Sequence, residues 1–104
     1  MMIPKNLVYA GLAGTGAKAG VGLAHACRTF AVQVSIPSGA ITSWSVTLEG
    51  SLDGVNWTTL ITHAATIGST QWAVDKPVTF VRVNVGALSL NTAPSITVLA
   101  TCCP

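Results

Sequence analysis

The stretch 46-VTLEGSLDGVNW-57 decides the fold. Together with the two residues before it, it places Trp44, Val46 and Leu48 on one face and Ser45, Thr47 and Glu49 on the other. That period of two marks a half-buried strand. Gly50-Ser51 then loosens the chain, and Asp53-Gly54 supplies a turn pair that tolerates positive φ. Trp57 reopens an apolar pattern beyond the turn. The stretch therefore predicts strand, tight polar loop, strand, with Trp44 and Trp57 on apolar faces as core anchors.

Outward from this element, everything after Arg28 reads as β. Phe30, Val32, Val34 and Ile36 alternate with Ala31, Gln33 and Ser35, and Pro37-Ser38-Gly39 ends that strand. Residues 41–49 and 57–63 flank the central turn, and residues 71–74 form a short strand ending at Asp75-Lys76-Pro77. Residues 78–85 predict a fifth strand with Val81, Val83 and Val85 inward and Arg82 and Asn84 outward. Ala93-Pro94 opens a last one over residues 95–101. Short strands with turn signals every 8 to 12 residues or so indicate an all-β fold. We expect a single antiparallel β-sandwich or jelly-roll-like barrel over residues 27–104, with the strand order left open.

Residues 1–26 have a different character. The run 11-GLAGTGAKAGVG-22 has neither helical nor strand period, and its glycines penalise both structures. It predicts an extended Gly-rich arm, ordered only where its own domain or a neighbour holds it. Removing residues 1–22 is then expected to leave the sandwich folded. Gly14-Thr15-Gly16-Ala17-Lys18 has the vocabulary of a phosphate loop without its spacing. The lysine does not directly follow the second glycine, and no Ser or Thr comes after it.

Composition narrows the function. Of 104 residues, 50% are hydrophobic and only 8% charged, with a formal net charge of +2, against about 25% charged in an ordinary soluble domain. A surface built from Ser and Thr does little to repel neighbours, so the protein reads as a subunit covered by partners. Lys5, Lys18, Arg28, Lys76 and Arg82 are scattered, which argues against nucleic acid. No apolar run approaches the ~18 residues of a membrane span. Ala24-His25-Ala26 has the small-residue form of a cleavage site, but Lys18 and the glycines interrupt any apolar signal core, so no cleaved leader is expected.

Cys27, Cys102 and Cys103 are odd in number and include an adjacent pair, which is no disulfide framework. An internal bond would join Cys27 to one of the pair, and the alternative is simple buried thiols. A zinc site would need His25 or His63, without Cys-x-x-Cys spacing. Neither a metal nor a cofactor is expected. The acidic residues are Glu49, Asp53 and Asp75. Asp53 sits where its side chain bonds local backbone, Glu49 ends an outward strand face, and nothing orients His25 or His63 toward a cysteine nucleophile. No enzyme is expected.

Residues 48-LEGSLDGVNW-57, 80-FVRVNV-85 and 93-APSITV-98 together resemble the small β-sandwich proteins of tailed-phage virions: capsid decoration (cement) proteins and related head or tail accessory proteins. The resemblance covers roughly the last two thirds of the chain. The Gly-Ser-x-Asp-Gly-x-x-Trp element also occurs in discoidin-like sugar- or lipid-binding sandwiches, which are longer. The resemblance implies a subunit made in the host bacterial cytoplasm that sits on the outer capsid surface of the virion. It would bind the major capsid protein, stabilise the lattice by bridging capsid subunits, and form a homo-oligomer, with a trimer favoured. The arm would contact the partner through Leu7, Val8, Tyr9 and Leu12, with Lys5 and Lys18 facing acidic surface. The competing expectation is a tail or head-fibre module for host-surface carbohydrate, with Asp53, Asn56, Trp57 and Trp72 as the ligand-binding set. Placement of Trp44 and Trp57 on apolar faces weighs against that set.

Overall fold

The alternating segments become strands of two packed antiparallel sheets. The computed structural model describes residues 5–64 and 66–103. Among the described residues nine strands are formed: β1 (Lys5–Leu12), β2 (Gly16–Ala17), β3 (Val21–Cys27), β4 (Thr29–Ser35), β5 (Ile41–Ser51), β6 (Thr58–His63), β7 (Thr70–Ala73), β8 (Val78–Leu90) and β9 (Ile96–Cys103). One sheet has the order β1-β9-β4-β7. The other runs β2-β8-β5-β6, with β3 also pairing with β8. The shortest dimension of the molecule is 19 Å, the thickness expected of two sheets about 10 Å apart plus their outward side chains. The protein is a β-sandwich.

The inward rows account for its cohesion. Phe30, Val32 and Val34 of β4 and Ile96, Val98, Ala100 and Cys102 of β9 are buried against Val46 and Leu48 of β5 and Val81, Val83 and Val85 of β8. Each Phe, Val, Ile or Leu side chain among them contributes about 1.5–3 kcal/mol by leaving water. The strand expected over 78–85 continues to Leu90 because the start of β5 pairs with it, Trp44 with Leu88 and Ser45 with Ala87. Val46 then faces Val85, so Gly86 is the extra residue of a bulge.

The glycine-rich arm is extended, and its own chain holds it. Leu7, Val8 and Tyr9 pair with Ala100, Leu99 and Val98, and Leu12 with Ile96 after a register shift. The chain then crosses to the other sheet, where Gly16 and Ala17 face Val85 and Asn84, and the Lys18 N–H donates to the Val83 carbonyl at 2.7 Å. Val21, Gly22 and Cys27 continue along Val81, Phe80 and Val78. The segment that the sequence sets apart thus supplies edge strands to both sheets.

At one end of the sandwich, the loop after β4 is clamped to the loop before β9. The Ala40 carbonyl accepts the N–H groups of Asn91, Thr92 and Ala93 at 3.0–3.1 Å, and the Ala40 N–H donates to Thr92 Oγ1 at 2.8 Å. Gly39 has φ of 82° and no room for a side chain: a Cβ there would lie 2.6 Å from Ala93 N and from the Thr92 carbonyl. Those obstacles are backbone. Gly39→Ala is therefore expected to lower stability by about 2–4 kcal/mol in urea denaturation. A loss below about 0.5 kcal/mol, the size of an ordinary surface substitution, would contradict this packing.

Candidate functional site

The central turn is closed on itself. Asp53 Oδ1 accepts the N–H groups of Val55 and Asn56, both at 2.8 Å, and the Ser51 hydroxyl at 2.9 Å. Asp53 Oδ2 accepts the Asn56 side-chain amide at 2.8 Å. Ser51 Oγ in turn accepts the N–H groups of Asp53 and Gly54. The Asn56 and Val55 backbone N–H groups, then the Asn56 and Ser51 side chains, hold the Asp53 carboxyl well below the usual carboxylate range. The local backbone bonding expected of Asp53 is present. Its acceptors are occupied by its own loop, and it stays ionised rather than serving as a proton donor.

Trp57 departs from the expected core position. In the pairing of β5 with β6, Leu48 faces Ile61 but Glu49 faces Thr59. Leu60 is thus an extra residue that breaks the alternation. Ile61 and His63 turn inward, Thr59 is exposed, and Trp57 lies half-buried on the outer face. There the Arg82 guanidinium lies 4.4 Å over its ring centroid, and Arg82 Nε donates to Glu49 Oε1 at 2.6 Å. The Arg82 and Glu49 side chains are only 25% and 14% exposed. A Cβ on Gly20 would come within 3.1 Å of the Trp57 ring, so the arm packs on the indole where a side chain would crowd it. Arg82→Ala strips the partner from a largely covered carboxylate and uncovers Trp57. We expect a loss of about 2–4 kcal/mol, measured by urea denaturation. Arg82→Lys should recover less than half of that, because an ammonium lacks the planar fork that stacks and pairs at once. An Arg82→Ala protein as stable as the parent would refute the cluster's role.

Trp44 keeps its expected place, packed against the core with its ring meeting His63 edge-on at 5.0 Å between centroids. His63 is fully buried, with Nε2 2.9 Å from the Ser69 carbonyl, and Nδ1 has no partner among the described residues. The side chains of Lys5, His25 and Cys103, which the sequence reading singled out, lie outside the described residues. No group of three or more His, Cys, Asp or Glu that would hold a metal ion gathers among the described residues. Among the described residues no helix is long and apolar enough to cross a membrane.

Three of the exposed large apolar side chains, Val8, Trp72 and Leu99, stand on the β1-β9-β4-β7 sheet and point away from the core. Strand register lines up Val8, Leu99, Gln33 and Thr70 in one row, and Thr101, Ala31 and Trp72 in the next. Trp72 is 67% exposed, Val8 63% and Leu99 39%. A shallow groove of about 410 Å³ runs between these rows, and among the described residues no charged side chain lines it. Gln33 Nε2 donates to the Gly68 carbonyl at 2.8 Å.

The six arm residues expected at a partner are divided by this arrangement. Leu7 is in the core, and Leu12 packs against it. Tyr9 is half-buried, its hydroxyl donates to the Ala19 carbonyl at 3.0 Å, and burial pushes its phenol up. Lys18 Nζ donates to the Gly14 carbonyl at 3.2 Å. Of these six, Val8 is the one whose described side chain offers exposed apolar surface on the outer face. The four candidate ligand residues do not gather either. Asp53, Asn56 and Trp57 follow one another around the turn on one sheet, while Trp72 stands on the outer face of the other. Sequence reasoning missed Leu99, and its signal was an apolar residue at an outward position between Thr97 and Thr101.

No protein-family model matches this sequence, and no curated protein is detectably similar to it in sequence. Solved structures share the fold. The SPBc2 prophage-derived protein YomS superposes with a TM-score of 0.62 at 14% identity, covering 100% of this chain and 97% of that one. CBM32-3 from a family 31 glycoside hydrolase of Clostridium perfringens gives 0.57 at 14% identity, covering 95% and 75%. A chain of the Nora virus structure gives 0.55 at 10% identity, covering 98% of this chain and 53% of its own length.

Proposed function

We propose that this chain is a non-enzymatic structural subunit of a phage virion, a decoration or cement protein that seats the outer face of the β1-β9-β4-β7 sheet on the capsid lattice and bridges neighbouring capsid subunits. The observation that carries the reading is that face: apolar along Val8, Leu99 and Trp72, with a groove that no charged side chain lines among the described residues. Contiguous apolar surface of this kind marks protein interfaces, and an exposed Trp is the residue type most enriched among their energetic anchors. The low charge supports the same reading, and so does likeness to a prophage-derived protein over nearly the full length of both chains. On this proposal the partner is the major capsid protein and the subunit is a homo-oligomer, a trimer favoured. It acts on the outer capsid surface by burying area and adds stability through association rather than chemistry.

A second reading, a tail or head-fibre module for host-surface carbohydrate, draws on exposed Trp72 beside Gln33, Thr70 and Thr101, and on the shared fold of CBM32-3. Against it, Asp53 and Asn56 bond each other and Trp57 is capped by Arg82. Light scattering of the purified protein with and without capsids of the encoding phage separates the two. A discrete oligomer that saturates a fixed number of capsid sites is the expected result. Indifference to capsids together with retention on immobilised glycans would transfer support to the second reading.

A further inference from the structure

Cys27 ends β3 in one sheet, opposite Val78, and Cys102 lies in β9 of the other, opposite Phe30. The two side chains meet in the interior. Cys27 is 4% and Cys102 1% exposed, and their sulfur atoms lie 2.7 Å apart. We propose that these two residues are an oxidative modification site: an internal Cys27–Cys102 disulfide that staples the arm's last strand to the opposite sheet. Less than an ångström of movement separates the sulfurs from the bonded distance of about 2.05 Å. Strand alternation selects Cys102 from the adjacent pair, because it falls in step with the buried row Ile96, Val98 and Ala100.

The oxidant is a small-molecule disulfide. One protein thiol loses its proton and attacks a sulfur of the oxidant. The small S–S bond breaks, and one small thiol leaves carrying a proton. The second protein thiolate then attacks the mixed disulfide and expels the second small thiol. Two protein thiols are oxidised, one small disulfide is reduced to two thiols, and no other reactant is needed. Both sulfurs are enclosed, so exchange proceeds during folding or when the end of β3 opens, and the finished bond is shielded from reductant. The closed loop joins residues 75 apart in sequence, and a loop of that length strongly restricts the unfolded chain. What the sandwich binds does not enter this inference.

The test is to refold the reduced protein with oxidised glutathione, map its peptides without reduction, and compare its melting with the protein kept in dithiothreitol. The expected products are a single Cys27–Cys102 linkage, an intact mass lower by two hydrogens, and a Tm raised by roughly 10 °C or more. Cys103→Ser should retain all three, and Cys102→Ser should lose them. A linkage through Cys103, glutathione adducts in place of the internal bond, or the linkage without a rise in Tm would each overturn the proposal. The Cys103→Ser protein keeps the test decisive if Cys102→Ser does not fold.

Discussion

Deleting residues 1–22 is expected to unfold the protein. Read from its composition, this segment is a detachable arm, but in three dimensions it is an edge of both sheets. The deletion removes all of β1 and β2 and the start of β3. It takes Leu7 out of the core, and Tyr9, Leu12 and Val21 from positions packed against it. It also strips β9 and β8 of a pairing partner each. Loss of a buried Leu alone costs about 2–5 kcal/mol, and a domain of this size has about 5–15 kcal/mol in total. The truncated chain should show no cooperative thermal transition by circular dichroism and poor amide dispersion by NMR. A cooperative transition within a few degrees of the full chain would restore the detachable arm.

The second large effect concerns binding and leaves the fold alone. Leu99 stands at the centre of the apolar outer face, flanked in register by Val8 and Gln33. A carboxylate placed there remains solvated in the lone subunit but must be desolvated without a partner when the face is covered. Leu99→Glu is expected to change stability by no more than about 1 kcal/mol, since the side chain points outward. Its affinity for capsids should fall by about 100-fold or more, the scale of losing an interface anchor and burying a charge. Leu52→Ser at the exposed tip of the central turn serves as the control and should bind like the parent. Equal losses from both substitutions, or none from Leu99→Glu, would remove the face from the account.

The sequence carried the fold class because the inward rows are nearly uninterrupted. Phe30, Val32 and Val34, and later Val81, Val83 and Val85, alternate cleanly, and each row is buried. The Asp53 turn was equally legible, since its bonds are local. What could not be read depends on pairing between distant segments. The glycine run has no period of its own and takes its order from strands near the other end of the chain. Trp57 was assigned to the wrong face because one extra residue, Leu60, shifts the alternation, and a bulge leaves no mark in hydrophobic spacing. The apolar outer face was invisible for a related reason. Val8, Leu99 and Trp72 belong to three strands, and only the order β1-β9-β4-β7 brings them onto one surface. The Cys27–Cys102 contact, one of the pairings open at the level of sequence, likewise follows from the packing of one sheet on the other.

The central claim is that the outer face of the β1-β9-β4-β7 sheet seats on the capsid, and hydroxyl-radical footprinting tests it most directly. The protein is oxidised alone and when bound to saturation on capsids of the encoding phage, and side-chain modification is then compared by mass spectrometry. Trp72 and Leu99 should react in the lone protein and be protected on the capsid, while Leu52 and Val55 at the turn tip should stay reactive in both. Trp72 remaining fully reactive in the saturated complex, with protection moved to the turn, would contradict the claim.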